Sequence, residues 1–570
     1  MPTLNWIGKD AVIDHHLKVP FHLLRDVPEL ACGEPGSGNL IVEGDNLVAL
    51  KALLPYYAGQ VKCIYIDPPY NTGNEKWIYN DNVNSPIIRE WLGKVVGPEG
   101  DTLDRHDRWL CMMYPRLAIL REFLAPDGVI FVSIDDHALP YLRMLMDDLF
   151  PHPQAKNRLA CMVWQTDGNS DNQGKIKYVH EYILAYSKRF EAFPLPPVID
   201  PNISGTSKLY KPEIQNTIVK NGVKNPPAEL HLIAGFPASF EEGVIPARKN
   251  KWPHYEHDLI VKDSKLVTPA VAWSGWSSNG LCEEFMATGF NDVLDSKGQS
   301  SRFVLTKTGA IEVIKTRSKE QSHVMSVIRE VGSTQNTSNM LAEMGIKFSF
   351  PKPLGLIEYL ISMVADKNAL VLDSFAGSGT TGHAVLQLNK KDGGRRRFIL
   401  TQIPHETDEQ RTNGTRIARD LTAKRDGTVV KGYTTTKGQK ADGLGGGFRF
   451  CQLESSLFTE DGKIRDSVTF TDLARHVFFT ETGEPLPNDE VKRSPFLGAV
   501  RGVGVYLLFN GILGDKSANG GNILTRKILA ELPPCDGHKV IYCAGCLLGK
   551  ERLQAERITV KQTPYEIKVS

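Results

Sequence analysis

The sequence predicts an α/β fold built on a doubly wound parallel sheet, and three stretches indicate it. Residues 40–66 read as a buried strand, an amphipathic helix and a second buried strand. A helix over 109–124 and an all-apolar strand over 129–134 repeat the pattern. The same alternation returns over 354–400, where a glycine-rich loop joins a strand to a helix. Buried strands that alternate with helices are typical of a parallel sheet covered on both faces.

Composition limits the class of protein. The 570 residues are 41% hydrophobic and 23% charged, which excludes a disordered, collagen-like or coiled-coil chain. The net charge of +1 neither requires nor excludes DNA as a partner. The N-terminal residues contain no apolar signal core, and no stretch reaches the roughly 18 apolar residues of a membrane helix. Nine cysteines are sparse and odd in number, so we expect reduced thiols and a cytoplasmic location.

Changes in composition predict five segments along the chain. Residues 1–39 form an N-terminal extension, and 40–189 and 346–432 are two halves of the α/β domain. Between them, 190–345 contains proline-rich polar stretches without a sustained period, which predicts a mixed α+β insertion. Its Trp273 and Trp276 are expected in the core. A glycine run at 445–447 indicates a boundary, and 433–570 is expected to form a small C-terminal domain.

The first candidate site is the tetrapeptide Asp67-Pro68-Pro69-Tyr70, which directly follows a buried strand. Consecutive prolines fix an extended backbone and remove two amide donors. A carboxylate, carbonyl oxygens and an aromatic ring then face the crevice where open α/β sheets bind ligands. The carboxylate and a carbonyl can accept both hydrogens of an exocyclic amino group while the tyrosine stacks on its ring. A purely structural Asp-Pro-Pro turn is the alternative.

The second candidate site is the loop 373–381, with the sequence DSFAGSGTT, between a strand and a helix. Glycines after a strand let the backbone approach a ligand, and the helix N-terminus favours acceptor atoms. A phosphate-binding loop needs a lysine that is absent here, and Gly382 comes one residue too late for a dinucleotide fingerprint. A ligand with adenosine and amino-acid parts fits one acid, one aromatic residue and two glycines better.

The two motifs together resemble the β class of amino-methylating DNA methyltransferases, which use S-adenosyl-L-methionine. In that class the tetrapeptide precedes the cofactor loop and a large insertion separates them. Four stretches are similar to the modification (Mod) subunits of type III restriction–modification systems: EGDNLVALKALLPYYAGQVKCIYIDPPYNTGN, RWLCMMYPRLAILREFLAPDGVIFVSIDD, KYVHEYILAYSK and FSFPKPLGLIEYLI. The resemblance is weakest over 190–345, which it implies is the target-recognition domain.

The resemblance implies an enzyme that methylates the N6 amino group of adenine at a specific site in double-stranded DNA, with the base flipped out. It implies catalytic roles for Asp67, Pro68, Pro69 and Tyr70. It implies cofactor binding by Asp45, Lys352, Asp373, Phe375, Gly377, Gly379 and Thr380. It also implies a homodimer, and a separate restriction subunit (an ATP-dependent nuclease), because this chain has no phosphate loop of its own.

Several alternatives stay open from the sequence. N4-cytosine methylation uses the same geometry, and a chain that mainly recognises sequence for a partner nuclease is a second possibility. Gln402 stands where many methyltransferases place an acid that binds the cofactor ribose, so no role is assigned to it. Possible zinc ligands lie at Cys535, His538, Cys543 and Cys546, but buried thiols on an apolar strand explain that pattern equally well. We therefore predict no metal.

Overall fold

The fold was analysed in a computed structural model, in which the chain forms two compact units. One unit is Ile199–His323, and the other combines Met1–Val198 with Val324–Ser570. The structure describes residues 4–34, 36–70, 93–94, 105–166, 175–203, 207, 211–316, 322–348, 350–364, 366–405, 408–459, 461–486, 494–509 and 521–563. The predicted segment boundaries at 39, 189, 345 and 432 stay predictions, and each unit is described below by itself.

A large mixed sheet organises the first unit. Its strands lie in the order His22–Asp26, Gly447–Ser456, Leu40–Glu43, Arg397–Gln402, Leu370–Asp373, Val61–Ile66, Leu124–Ile134, His180–Ser187, Arg158–Gln165 and Val327–Ile328. The strands from Gly447–Ser456 to Leu124–Ile134 are all mutually parallel. The predicted α/β fold with a doubly wound sheet is confirmed.

Helices cover both faces of this sheet. In the strand Val61–Ile66, Ile64 and Ile66 belong to one apolar cluster, whereas Cys63 and Tyr65 belong to another. Since successive side chains of a strand point to opposite faces, both faces are buried. The helices of the unit are Lys9–Val12, His15–Lys18, Asn46–Tyr57, Arg105–Phe123, Leu139–Leu149, Thr334–Glu343, Leu354–Ser362, Thr380–Asp392, Asp408–Asn413, Lys424–Lys431, Phe470–Thr482, Arg526–Glu531 and Lys550–Ala555, with a 3₁₀ turn at Pro28–Leu30 and a π-helical turn at Ala418–Ala423.

The order of the strands creates a switch point near the middle of the sheet. The chain passes from Leu40–Glu43 through the helix Asn46–Tyr57 to Val61–Ile66, and leaves two strand positions between them. Leu370–Asp373 and Arg397–Gln402 fill these positions much later in the sequence. A ligand crevice forms at such a point, outside the carboxyl ends of the strands.

The C-terminal part of this unit adds a small sheet. Its strands are Phe496–Val500, Val503–Leu507, His538–Cys543 and Ile558–Gln562. Elsewhere in the unit, two short sheets pair Gly432–Thr434 with Lys440–Asp442 and Ile523–Leu524 with Gly545–Cys546, and Cys32–Gly33 pairs with Gly447–Ser456 of the large sheet. Cys543 is buried, and His538 Nε2 lies 2.9 Å from Thr559 Oγ1. Among the residues described, no three His, Cys, Asp or Glu side chains are grouped to hold a metal ion. No helix within those residues combines the length and apolarity that crossing a membrane requires.

The second unit is a mixed α+β structure with its own core. Its strands are Glu213–Thr217, Ala228–Leu232, Gly243–Ile245, His254–Tyr255, Leu259–Lys262, Lys265–Leu266, Ala270–Ser274, Val293–Leu294, Ser300–Leu305 and Ile311–Thr316, and its helix is Asn279–Ala287. Trp276 is buried in the core, as expected. The expectation for Trp273 is wrong: it is 42% exposed, because it pairs with His254 on the solvent face of an antiparallel sheet.

Candidate active site

The two sequence motifs meet at the switch point of the central sheet. Asp67 directly follows the strand Val61–Ile66, and Asp373 ends the strand Leu370–Asp373. These strands are adjacent and parallel, with Leu372 in register with Ile64. The carboxyl ends of parallel strands lie at the same edge of a sheet, so the two motifs lie at one edge although they are far apart in the sequence.

The first motif is held by a buried tryptophan. Pro68 and Pro69 are buried, whereas Asp67 and Tyr70 are only partly buried. Trp109, fully buried on the helix Arg105–Phe123, donates a hydrogen bond from Nε1 to the carbonyl oxygen of Pro69 at 2.7 Å. The two prolines limit the backbone and Trp109 fixes its position, so the Asp67 and Tyr70 side chains start from a rigid turn.

Tyr70 lies at the centre of a polar network. Its hydroxyl is 2.8 Å from Asp67 Oδ1 and 2.8 Å from Glu181 Oε2, and it accepts a hydrogen bond from Lys352 Nζ. Lys352 Nζ also lies 2.7 Å from Glu181 Oε2 and 3.3 Å from Asp67 Oδ1. The ammonium group sits 4.7 Å from the centre of the Tyr70 ring. Three separate segments of the chain therefore fix this tyrosine.

Burial and charge shift the ionisation of these groups in opposite directions. Burial raises the pKa of Asp67; the Lys352 ammonium opposes this shift, and the Glu181 carboxylate adds to it. Burial alone would lower the pKa of Lys352, but Asp67 and Glu181 together raise it above its ordinary value. Burial, followed by the two carboxylates, raises the pKa of Tyr70 far above its ordinary value. Tyr70 is thus a neutral phenol and Lys352 a charged ammonium at neutral pH.

The second motif forms a loop with left-handed glycines. Gly377 has φ +50° and Gly379 has φ +81°, and Gly379 immediately precedes the helix Thr380–Asp392. Asp373 stabilises the loop: its Oδ1 accepts from the Phe375 amide at 2.9 Å and its Oδ2 accepts from Thr381 Oγ1 at 2.6 Å. Burial raises the pKa of Asp373 to about 7, although these two donors act against the shift.

Gln402, which stands where many methyltransferases have an acid, contacts the glycine loop. It ends the strand Arg397–Gln402, and its side-chain oxygen accepts a hydrogen bond from the Gly377 amide at 2.8 Å. An amide oxygen makes this bond as a neutral acceptor, with no buried charge. Gln402 is therefore placed to support the glycine loop from the neighbouring strand.

A buried arginine, Arg425, donates hydrogen bonds to two residues of the same loop. Arg425 Nη1 donates to Thr380 Oγ1 at 2.6 Å and to Ser378 Oγ at 3.0 Å. The next residue, Asp426, is buried beside Gly379 and Gly382, where a β-carbon on Gly382 would collide with its carboxylate. Burial raises the pKa of Asp426 far above its ordinary value. The loop thus rests on a tightly packed base that excludes larger side chains.

Asp45 joins the site through a chain of hydrogen bonds. It caps the helix Asn46–Tyr57 by accepting from the Leu47 and Val48 amides, and its second oxygen accepts from Arg116 Nη2 at 3.1 Å. Arg116 Nε donates to Asn46 Oδ1, and Asn46 Nδ2 donates to the Ser374 carbonyl at 3.1 Å. The Asp45 side chain stays 30% exposed, so part of it faces solvent beside the loop.

The sequence-predicted residues fall into two connected groups. Asp67, Pro68, Pro69, Tyr70 and Lys352 form the first group. Asp373, Phe375, Gly377, Gly379 and Thr380 form the loop, and Asp45 joins it through Asn46. Lys352, predicted for the cofactor pocket, contacts the tetrapeptide instead of the loop in the bonds described above. Sequence reasoning missed Glu181, Trp109, Arg116 and Arg425, because no local motif marks them.

Comparisons with known proteins identify a family and several relatives of this chain. Residues 61–412 match the family model N6_N4_Mtase, described as DNA methylase. The chain is 32% identical to the type III restriction-modification enzyme EcoPI Mod subunit of Escherichia phage P1, over 77% of this chain and 70% of that protein. It is 29% identical to the EcoP15I Mod subunit of Escherichia coli, over 84% and 74%. A solved structure of TTHA0409, a putative DNA modification methylase from Thermus thermophilus, aligns over 64% of this chain and 89% of that one, at 13% identity and TM-score 0.26.

Proposed function

The chain belongs to the N6_N4_Mtase family of DNA methylases, and we propose that it methylates the N6 amino group of adenine in DNA at a specific sequence. The methyl donor in this proposal is S-adenosyl-L-methionine. The meeting of the tetrapeptide and the glycine loop on adjacent strands carries the proposal. This arrangement places a carboxylate that can bind an amine and a loop that can bind the cofactor at one edge of the sheet.

The residues of the loop fit a cofactor with adenosine and methionine parts. Two left-handed glycines let the backbone pass close to a ligand. The Ser374 hydroxyl is buried and has no hydrogen-bond partner in the part of the chain that is described. Asp45 and Phe375 keep partial exposure beside the loop. In the proposal the cofactor is held by Asp45, Asp373, Phe375, Gly377, Gly379 and Thr380; when bound, it supplies a methyl group on a positively charged sulfur.

The tetrapeptide is suited to make an aromatic amine reactive. The lone pair of the adenine amino nitrogen is delocalised into the ring, so the nitrogen is a poor nucleophile. Asp67 and the Pro68 carbonyl oxygen would accept its two N–H hydrogen bonds and favour a pyramidal nitrogen. The nitrogen then forms a bond to the methyl carbon as the carbon–sulfur bond breaks. The electron pair of that bond would remain on sulfur, and the nitrogen would afterwards lose one proton to water.

Tyr70 is suited to receive a base turned out of the duplex. The amino group cannot be reached inside the helix, and flipping the nucleotide costs a few kcal/mol. Stacking of the base on the Tyr70 ring would recover about 1–3 kcal/mol. The bonds of its hydroxyl to Glu181 and Lys352 hold the ring in place before the base arrives. Pre-organisation of this kind reduces the entropy lost on binding.

The relatives support a place in a restriction–modification enzyme. Two of them carry the name Mod subunit of a type III restriction-modification enzyme. We infer that this chain is likewise a cytoplasmic modification subunit that acts on double-stranded DNA, forms a homodimer and works with a separate ATP-dependent restriction subunit. The unit Ile199–His323 lies between the two motifs in the sequence, which suits a target-recognition domain.

Product analysis tests this proposal directly. Purified protein is incubated with methyl-labelled S-adenosyl-L-methionine and several kilobases of unmethylated duplex DNA, and the digested nucleosides are separated by mass. We expect label in N6-methyladenine. Label in N4-methylcytosine would overturn the choice of base, and sequence-specific binding without label would favour a recognition subunit.

A further inference from the structure

We propose that Lys352 and Glu181 are positioning residues that set the net charge of the catalytic site. In this proposal Lys352 keeps Asp67 ionised, and Glu181 cancels the positive charge that Lys352 brings. The inference rests on the proposed function, because it concerns the charge presented to the amino group during methyl transfer. Neither residue needs to touch the base.

The contacts bring three charges into one partly buried cluster. Lys352 Nζ is 3.3 Å from Asp67 and 2.7 Å from Glu181, and its side chain is only 11% exposed. The three residues come from distant parts of the sequence, and Glu181 lies on the strand His180–Ser187. Because water is largely excluded, these charges interact more strongly than they would at a surface.

Among the residues that the structure describes, few groups act on the charge of Asp67. Lys352, Glu181 and Tyr70 contact the cluster directly. Tyr65 and Asp373 lie farther off but interact with Asp67 electrostatically. Tyr65 is buried, its hydroxyl is 2.8 Å from Ser133 Oγ, and its pKa is raised far above the ordinary value, mainly by burial, so it stays neutral.

The charge count follows from these groups. In the proposal Asp67 and Glu181 act as carboxylates and Lys352 as an ammonium, so the three groups in direct contact carry a net charge of −1. Without Lys352, burial and Glu181 would both favour the protonated form of Asp67. Without Glu181, the ammonium would neutralise Asp67 completely. In the proposal the observed set of three keeps Asp67 ionised and also leaves one negative charge beside the target amine.

A net negative charge matches the demand of the reaction. The amino nitrogen is neutral before transfer and becomes positive as the N–C bond forms and the C–S electron pair moves to sulfur. It stays positive until one proton leaves to water. A site with net charge −1 stabilises that nitrogen more in the transition state than in the ground state, which is the condition for a rate increase.

The test compares single and double variants over a range of pH. Lys352→Met, Glu181→Gln and the double variant are assayed for methyl transfer between pH 5 and 9 with saturating DNA and cofactor. For Lys352→Met we expect the acid limb of turnover to move up by about 1–3 pH units, the effect of an adjacent opposite charge. For Glu181→Gln we expect the acid limb to move down and the plateau to fall roughly tenfold.

The double variant separates charge from simple packing. It removes one charge of each sign and restores the net charge of −1 on Asp67. We expect its plateau to exceed that of Glu181→Gln by about fivefold, a non-additive result typical of coupled groups. The inference is wrong if the losses of turnover in the two single variants simply add up in the double variant. It is also wrong if Lys352→Met keeps the wild-type acid limb.

Controls separate this inference from the proposed function and from misfolding. Lys561→Met removes a similar lysine from a Tyr–Glu–Lys group in the C-terminal region, and should keep the wild-type pH profile. Lys352→Arg keeps the charge and should keep the acid limb. Every variant should retain the wild-type dissociation constant for S-adenosyl-L-methionine by calorimetry. Absence of methyl transfer by the wild type would overturn the proposed function, whereas an unshifted Lys352→Met profile with an active wild type overturns only this inference.

Discussion

The molecule contains two similar groups of tyrosine, glutamate and lysine in very different places. The central group is Tyr70, Glu181 and Lys352, and the C-terminal group is Tyr542, Glu481 and Lys561. In each group both the phenol and the ammonium bond to the glutamate. The lysine lies near the tyrosine ring in both, at 4.7 Å in the central group and 5.5 Å in the C-terminal group.

Two differences separate the groups. The central group has a second carboxylate, Asp67, within reach of its lysine, whereas the C-terminal group pairs one ammonium with one carboxylate. Tyr70 is partly exposed at the end of a strand, but Tyr542 is fully buried inside its sheet. The same residue types therefore make an ion pair in one region and a candidate reaction site in the other. What distinguishes the site is the added carboxylate and its position at the switch point.

The largest expected effect comes from removal of that carboxylate. Asp67→Asn keeps the shape of the side chain but loses its charge, so we expect methyl transfer to fall by about 10²–10³-fold. The dissociation constant for S-adenosyl-L-methionine should stay unchanged, because the cofactor loop follows a different strand. Steady-state methyl transfer and calorimetry measure the two quantities. Wild-type turnover in this variant would show that the tetrapeptide is only a structural turn.

Most of the fold and the two motifs could be predicted because their signals are local. A strand followed by Asp67-Pro68-Pro69-Tyr70 is visible within a few residues, as is the glycine loop. Glu181 gave no such signal, since its partners Tyr70 and Lys352 lie 111 and 171 residues away in the sequence. Only the antiparallel pairing of its strand beside Leu124–Ile134 brings it to the site.

The contacts of individual site residues were harder to predict from the sequence than the places of the two motifs along the chain. The family resemblance implied a cofactor role for Lys352, yet its described bonds are to the tetrapeptide. The sequence assigned no role to Gln402, and in the structure its side-chain oxygen accepts a hydrogen bond from the Gly377 amide. Gln402 reaches the loop because its strand neighbours Leu370–Asp373 in the sheet, and strand order is a property of the whole fold.

The glycine loop provides a second comparison with the C-terminal region. Gly379 has φ +81°, and an added β-carbon would lie 3.2 Å from the Thr422 carbonyl oxygen and 3.3 Å from the Asp426 carboxylate. Gly483 has φ +69° with nothing within 4 Å. We expect Gly379→Ala to weaken S-adenosyl-L-methionine binding about tenfold, because both backbone strain and crowding displace the loop.

Gly483→Ala is the matched control for the loop. It introduces similar backbone strain of about 1–2 kcal/mol without crowding, at the end of the helix Phe470–Thr482. Thermal unfolding should show a loss of stability in both variants, and calorimetry should show weaker cofactor binding only for Gly379→Ala. Equal affinities would mean that the loop does not contact the cofactor.

Two aspartates of these regions should give opposite pH dependences of stability. Burial raises the pKa of Asp373 to about 7, whereas bonds from Lys463 and Thr459 lower the pKa of Asp461 to about 2. Folded Asp373 holds its proton at a pH where the unfolded chain has lost it, so its contribution to stability is lost as pH rises from about 4 to about 7. Asp461 contributes stability above about pH 4 that is lost as pH falls toward 2.

Asparagine variants of both residues test this contrast. In urea unfolding of the ligand-free protein at pH 4, 5.5 and 7, Asp373→Asn should lose less stability with rising pH than the wild type, by about 1 kcal/mol or more. Asp461→Asn should follow the wild type over this range. Parallel curves for Asp373→Asn and the wild type would contradict a protonated Asp373 below neutral pH.

The smallest expected effect belongs to the C-terminal group itself. Glu481→Gln removes the partner of Lys561 but leaves an oxygen that can accept from Tyr542, whose hydroxyl lies 2.5 Å from Glu481. We expect a loss of about 0.2–1 kcal/mol in the free energy of unfolding, the usual range for a partly exposed ion pair, and unchanged methyl transfer at every pH. Chemical denaturation and the methyl-transfer assay measure both. A shifted pH profile of methyl transfer in Glu481→Gln would contradict this comparison. It would mean that a charge change in the C-terminal group affects turnover as a charge change in the central group does.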